Sequence, residues 1–294
     1  MSSLLKKFRK GCFISIVLMS ILTGCIDAGN ENPNTNSVEI NNGSTQKTNN
    51  QTQKNDWKLI WCDEFNGKNG ESVDPEKWVI EIGNNNGWGN KELQYYTGNT
   101  DNLSIQDGSL VIKALQQEME GFGYTSARIK TKEKFAFKYG KIEMSAKLPY
   151  GQGIWPAFWM LGFDIDTVPW PDCGEIDIME FIGRSPDTIY GTLHGPEYHG
   201  AMGIQGFICH GVDIHNDFHT YGVEWDSESI RWFFDGKLYH TVLKEKMPTT
   251  YTWVYDREFF ILLNLAVGGE WPLYPDDTTQ FPQSYIIDYV RVYQ

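Results

Sequence analysis

From residue 57 onward, apolar side chains recur at every second position in short runs separated by glycine and proline. Lys141–Leu148 alternates cleanly. Ile142, Met144, Ala146 and Leu148 lie on one face, and Lys141, Glu143, Ser145 and Lys147 on the other, the period of a half-buried strand. Ser229–Val242 splits into two such runs about Asp235-Gly236, a pair suited to the primed turn of a hairpin. Further strands are predicted at Leu110–Leu115, Ala127–Thr131, Ile189–Leu193, Thr220–Trp225, Phe259–Val267 and Ser284–Tyr293. Amphipathic helices and internal repeats are not evident. Many strands in one segment of this length predict an all-β fold, an antiparallel β-sandwich of jelly-roll type.

The first residues follow a different pattern. Lys6, Lys7, Arg9 and Lys10 precede an apolar run over 11–22 that is too short to span a bilayer comfortably. Residues 1–24 are therefore expected to be a signal peptide. Leu22-Thr23-Gly24-Cys25 resembles a bacterial lipobox, which implies lipidation of Cys25 as the first mature residue. An ordinary signal peptide with an incidental cysteine is the alternative. Residues 26–56 hold nine asparagines and no aromatic residue, too little apolar surface to fold. The expected organisation is a leader (1–24), a lipidated cysteine with a disordered Asn-rich tether (25–56) and one domain (57–294). The expected location is the cell surface, as a secreted lipoprotein touching the membrane only through its lipid. Of the remaining cysteines, Cys62, Cys173 and Cys209 lack the close spacing of a zinc site or disulfide framework. Free buried thiols are expected, with one bridge at most.

Charge narrows the partners. The net charge is −13, which disfavours nucleic acid and anionic membranes and leaves a neutral polymer acceptable. A monomer is expected. All 11 tryptophans fall after residue 56. Most should be core, but Trp88, Trp155, Trp159 and Trp271 sit among glycines and prolines and are the better candidates for exposed stacking surfaces.

Gly174-Glu175-Ile176-Asp177-Ile178-Met179-Glu180 puts three carboxylates into an apolar, β-prone run with no lysine or arginine between them. Glu175 and Asp177 share a strand face. Glu180, five residues from Glu175, returns to that face only if a β-bulge near Ile178–Met179 absorbs one residue. Two glutamates on one face suit the close pair of a retaining glycosidase. Glu175 would be the nucleophile and Glu180 the general acid, later the base. Asp177 between them would share a proton or hydrogen bond with Glu175. No cofactor is needed for that chemistry. A calcium loop, the alternative, would interleave Gly, Asn or Asp rather than Ile and Met.

GEIDIME at 174–180, preceded by GIWPAFWMLG at 153–162, resembles glycoside hydrolase family 16, nearest its bacterial laminarinases (endo-β-1,3-glucanases). The resemblance covers 57–294 through DEFNG (63–67), NKELQYYT (90–97), YTSARIKT (124–131), GTLHG (191–195), AVGGEWP (266–272) and IDYVRVYQ (287–294). It implies a concanavalin A-like jelly roll with an open concave cleft that cuts internal β-glucan bonds with retention. By position, Glu175 matches the nucleophile, Glu180 the acid/base and Asp177 the assisting carboxylate. Trp155 and Trp159 match cleft tryptophans that stack on glucose rings. Asn90, Arg128, His194 and Trp271 match positions near the negative subsites and the acid/base. The extra residue Met179 is shared with laminarinases, agarases and carrageenases, whereas lichenases and xyloglucan transferases have an unbulged run; the WPAFWML and GEIDIME context fits agarases and carrageenases less well. Mixed-linkage β-1,3-1,4-glucan is a second expected substrate. A non-catalytic glucan-binding module and a transglycosylase are the rival functions. Family members often carry one structural Ca²⁺ at positions matching Glu64, Gly108 and Asp288. Alternation with Ile286, Val290 and Val292 independently predicts an apolar face for Asp288, where a lone acid would need a partner.

Overall fold

The computed structural model describes residues 56–294. The signal peptide, Cys25 and the tether up to residue 55 lie outside the described residues. Two antiparallel sheets account for most of the strands. The first runs, in spatial order, β12 (Ile204–Cys209), β11 (Thr188–His194), β10 (Glu175–Phe181), β9 (Ile154–Gly162), β16 (Phe259–Val267), β7 (Arg128–Lys130) and β2 (Val79–Glu81). The second runs β15 (Lys237–Leu243), β14 (Ser229–Phe234), β13 (His219–Trp225), β8 (Gly140–Lys147), β17 (Gln283–Tyr293), β5 (Ser109–Ala114) and β4 (Leu103–Gln106). There β1 (Leu59–Asp63) adds to β17, and a short parallel pair joins β3 (Gln94–Tyr96) to β6 (Tyr124–Ser126). The helices among the described residues are short 3-10 turns. The all-β antiparallel sandwich is what the alternation predicts.

The apolar face of each sheet fills one shared core. Ile142, Met144 and Ala146 of β8 meet Ile154, Phe158 and Met160 of β9 and Ile261, Leu263 and Leu265 of β16 there. The hairpin forms about Asp235 and Gly236, both at positive φ (49° and 72°) as a primed turn requires. Strand β9 contains Pro156 and two exposed-face tryptophans, so its alternation is weak in the sequence.

Close approach between the sheets is set at two glycines. Gly191 and Gly206 pair directly across β11 and β12. A Cβ at Gly191 would lie 2.4 Å from Trp232 Cδ1, and one at Gly206 would lie 2.2 Å from His240 Cγ. The missing side chains make room for Trp232 and His240 of the second sheet, whose rings lie 4.7 Å apart.

Two expectations are corrected. Asp288 does not lie on the apolar face. Strand β17 shifts register against β8 between Ile287 and Tyr289; Asp288 takes the extra position and is exposed, while Tyr285, Ile287, Val290 and Val292 fill the core. The second concerns the thiols. Cys62 and Cys173 are free, but only Cys173 is buried, and Cys209 has a bonding partner.

Candidate active site

Strand β10 sends Ile176, Ile178, Met179 and Phe181 into the core. Two consecutive residues, Ile178 and Met179, point the same way. Against β11, Asp177 pairs with Thr192 and Glu180 with Tyr190, so these two residues oppose Gly191 alone. Against β9, Asp177 pairs with Trp159 and Met179 with Phe158. This is the β-bulge the carboxylate spacing requires, and it turns Glu175, Asp177 and Glu180 onto the outer face of the first sheet. The bulge takes the Asp177 carbonyl towards the core, where Trp232 Nε1 donates to it at 2.8 Å. Without that donor a buried carbonyl would cost about 1–3 kcal/mol.

Register then arranges the outer face in rows. One row reads Glu81, Arg128, Asn264, Ala157, Glu180, Tyr190 and Phe207 across neighbouring strands. The next places Leu262, Trp159, Asp177, Thr192 and Gln205 side by side. Glu175 lies beside His194 and Leu161.

Each glutamate is held by its own tryptophan. Trp170 Nε1 donates to Glu175 Oε2 at 2.6 Å, and Trp155 Nε1 donates to Glu180 Oε1 at 3.2 Å. Thr192 Oγ1 donates to Glu180 Oε2 at 3.3 Å. His194 Nε2 lies 3.1 Å from Asp177 Oδ2. Trp155 and Trp271 meet edge to face at 5.5 Å. These neighbours bring six of the nine expected catalytic and substrate-binding residues into one cluster.

Trp159 stands on β9 beside Asp177, and Arg128 stands on β7, two strands further along the sheet. The Arg128 guanidinium is sandwiched 4.3 Å from the Trp88 ring and 4.9 Å from the Trp159 ring, and it pairs with Glu81. Burial pushes the Glu81 carboxyl up, but Arg128 and Lys130 outweigh it, so the group ends below its ordinary range. Asn90 is exposed; its side chain donates to Glu92 Oε1 at 3.1 Å and its carbonyl accepts from Glu270 N at 3.2 Å. Trp159 Nε1 donates to Asn264 Oδ1 at 2.7 Å, and Asn264 Nδ2 donates to the Tyr96 hydroxyl at 3.2 Å. Glu64, Gly108 and Asp288 lie elsewhere, around β17 of the second sheet.

Electrostatics match the crowding. Burial, then the neighbouring Asp177 charge, pushes Glu175 up to about 8. Burial pushes Glu180 up to about 7, with the His194 ring and two hydrogen-bond donors pulling the other way. Asp177, buried and facing Glu180, is raised well above the ordinary carboxylate range. Three carboxyls this close cannot all ionise near neutral pH. Glu175 and Asp177 present oxygens within 4.8 Å of each other, close enough that ionising one disfavours ionising the other. The groups also come close enough to hold a cation, since Glu175, Asp177 and His194 present atoms within 4.8 Å of one another. Here a retained proton already relieves the charge.

The sequence profile of the Glycosyl hydrolases family 16 matches residues 86–291, and the bulged triad lies inside that span. The chain belongs to glycosyl hydrolase family 16. It is 38% identical over 300 residues to a beta-glucanase of Rhodothermus marinus, covering 99% of this chain and 97% of that one. It is 40% identical over 257 residues to a glucan endo-1,3-beta-glucosidase of Cryptopygus antarcticus, covering 80% and 91%. The laminarinase catalytic domain of Thermotoga maritima superposes with a TM-score of 0.77 at 49% identity, covering 81% and 98%.

Within this family 16 enzyme, the sequence reading missed Trp170, Asn264, Glu81, Tyr190 and Thr192. Trp170 stands between Pro169 and Pro171, the same context that singled out other tryptophans. Asn264 is the lone polar residue in the apolar run of β16.

The native carboxyls hold protons that an unfolded chain releases once pH passes their ordinary value of roughly 4.5. Between that value and about 8 the native state therefore binds more protons, and stability falls as pH rises. Replacing Glu175 by Gln removes one such group. The melting temperature of Glu175→Gln relative to the unsubstituted enzyme should rise between pH 5 and pH 8.5. An offset independent of pH would contradict the crowded-carboxyl account.

Proposed function

We propose that this enzyme is a retaining endo-β-glucanase that cuts internal β-1,3 bonds of a glucan chain. The observation that carries the reading is the bulged strand, which places both glutamates on one open face with a separate indole N–H on each. The relatives named for β-1,3-glucan and laminarin support the substrate class. Glu175 attacks the anomeric carbon. Attack needs Glu175 ionised; the Trp170 N–H favours that form and aims the carboxylate, and Asp177, raised well above its ordinary range, holds the proton in its place. Glu180, protonated, gives its proton to the departing glycosidic oxygen. The same carboxylate then takes a proton from water, whose oxygen attacks the anomeric carbon and frees Glu175. Two inversions leave the β configuration. Trp155 and Trp159 present ring surface beside the reacting carboxyls, a platform for glucose rings. Arg128, fixed between two indoles and paired to Glu81, is a rigid donor at the far side of Asn264. The rival glucan-binding reading has no use for three buried, mutually repelling carboxyls.

Glu175→Gln and Glu180→Gln should each lower kcat on laminarin on the order of 10³-fold or more while still being retarded in a laminarin affinity gel. Full activity in either variant would refute the assignment. With the unsubstituted enzyme, NMR should show β-anomers first; α-anomers would mean inversion.

The second sheet supports a proposal for Ca²⁺. Ile287 pairs with Leu110 and Val290 with Asp63, so register brings the bulge at Asp288 towards the Gly108 turn and towards Glu64, just past the end of β1. The Glu64 carboxylate is clamped by Arg291 at 2.8 and 2.7 Å, which leaves its backbone oxygen for a cation. One exposed carboxylate with backbone oxygens fits a hard cation. EGTA should then lower the melting temperature by several degrees, reversibly with added Ca²⁺; an unchanged melt would end this proposal.

A further inference from the structure

Past Glu180, the outer face of the first sheet continues over β11 to its edge strand β12. Glu180 pairs with Tyr190, and Tyr190 with Phe207. Ile204 and Ile208 pack on the core and Gly206 lies over His240, which turns Gln205 and Phe207 outward. Phe207 is 63% exposed. Its ring lies 6.2 Å from Tyr190, which lies 5.1 Å from Trp271, which in turn lies 5.5 Å from Trp155. A continuous aromatic path runs from the indole that holds Glu180 to the edge of the sheet. A polar path runs beside it: Gln205 Nε2 donates to Thr192 Oγ1 at 3.3 Å, and Thr192 Oγ1 donates to Glu180 Oε2 at 3.3 Å.

We propose that Phe207, with the exposed amide of Gln205 beside it, forms a remote glucosyl-binding subsite for the chain being cut. The inference rests on the endo-glucanase reading and adds a place where a distant part of the polymer is gripped. A sugar ring has an apolar C–H face and a rim of hydroxyls. It is held by a flat apolar surface with a hydrogen-bonding group at its margin, and this pair supplies both. A single exposed ring would be ordinary, but Phe207 continues the aromatic strip of Tyr190, Trp271 and Trp155, and a contiguous apolar strip marks a binding surface. Two strand spacings put Phe207 roughly 10 Å from Glu180, about two linked sugar rings, so a ring beyond the one at the cleaved bond reaches it. The occupant is fixed by continuity, because the row that carries Phe207 is the row that carries Glu180. An edge strand leaves no wall beyond it, so a polymer can run on past the subsite.

The test compares Phe207→Ala, Phe207→Trp and Gln205→Ala on laminarin and on laminaritriose, whose productive binding need not reach Phe207. Phe207→Ala should raise KM for laminarin about threefold to tenfold with kcat little changed, and should affect the trisaccharide less. Phe207→Trp should restore the laminarin KM, and Gln205→Ala should shift it in the same direction as Phe207→Ala. An unchanged laminarin KM, or an equal change on both substrates, overturns the subsite. Unchanged kinetics with loss of a dimer on size exclusion would also overturn it, since a second copy of the chain would then cover Phe207. If the unsubstituted enzyme cuts neither substrate, the endo-glucanase reading fails instead, and the two failures are distinguishable.

Discussion

One hydrogen bond between the sheets underlies the site: Trp232 Nε1 to the carbonyl of Asp177. A strand that carries one residue too many must put two neighbours on the same face and leave part of its backbone out of the ladder. In β10 the two neighbours, Ile178 and Met179, are core residues, and the displaced carbonyl finds a donor on the opposite sheet. Gly191 and Gly206 exist at their positions because the donor's ring and the adjacent His240 need that space. The geometry of three carboxyls on the open face is therefore secured from the closed face. Packing, backbone pairing and chemistry meet at the same few residues.

The electrostatic cost of that geometry is left largely unrelieved by cations. Arg128 is turned to Glu81, and the groups around Glu175 and Glu180 are neutral indole and hydroxyl donors with the His194 ring. Neutral donors leave the carboxyls with raised proton affinity, whereas a nearby guanidinium would have held them ionised. A general acid that must carry a proton near neutral pH needs that environment. Asp177, the most deeply buried of the three, holds the proton that lets Glu175 ionise. The site is built to be uncomfortable as a resting structure, and the rigid core behind it is what holds it.

The strands that alternate simply were legible in the sequence. Strand β16 has the bounds its apolar run suggests, and the hairpin turns at Asp235-Gly236. The bulge in β10 was also legible, because three acids had to share a face for the motif to make chemical sense. An equivalent bulge in β17 was not, because the residue it displaces, Asp288, sat plausibly among isoleucines and valines. Short strands such as β2 and β3 carry too few residues to show a period, and β9 is masked by Pro156 and its outward tryptophans. At the site, the acids and cleft tryptophans stood out by residue type. The residues that hold them did not: Trp170 reaches Glu175 from a proline-flanked loop, and Glu81 meets Arg128 only through strand pairing.

The central claim is that the bulged strand makes Glu175 the nucleophile of a covalent glycosyl-enzyme. The direct measurement is peptide mapping by mass spectrometry after incubation with a 2-deoxy-2-fluoro-β-laminaribiosyl fluoride, which traps such an intermediate. The account expects one adduct per chain, on Glu175. An adduct on Asp177 or Glu180, or turnover of laminarin by an enzyme that never becomes labelled, would contradict it.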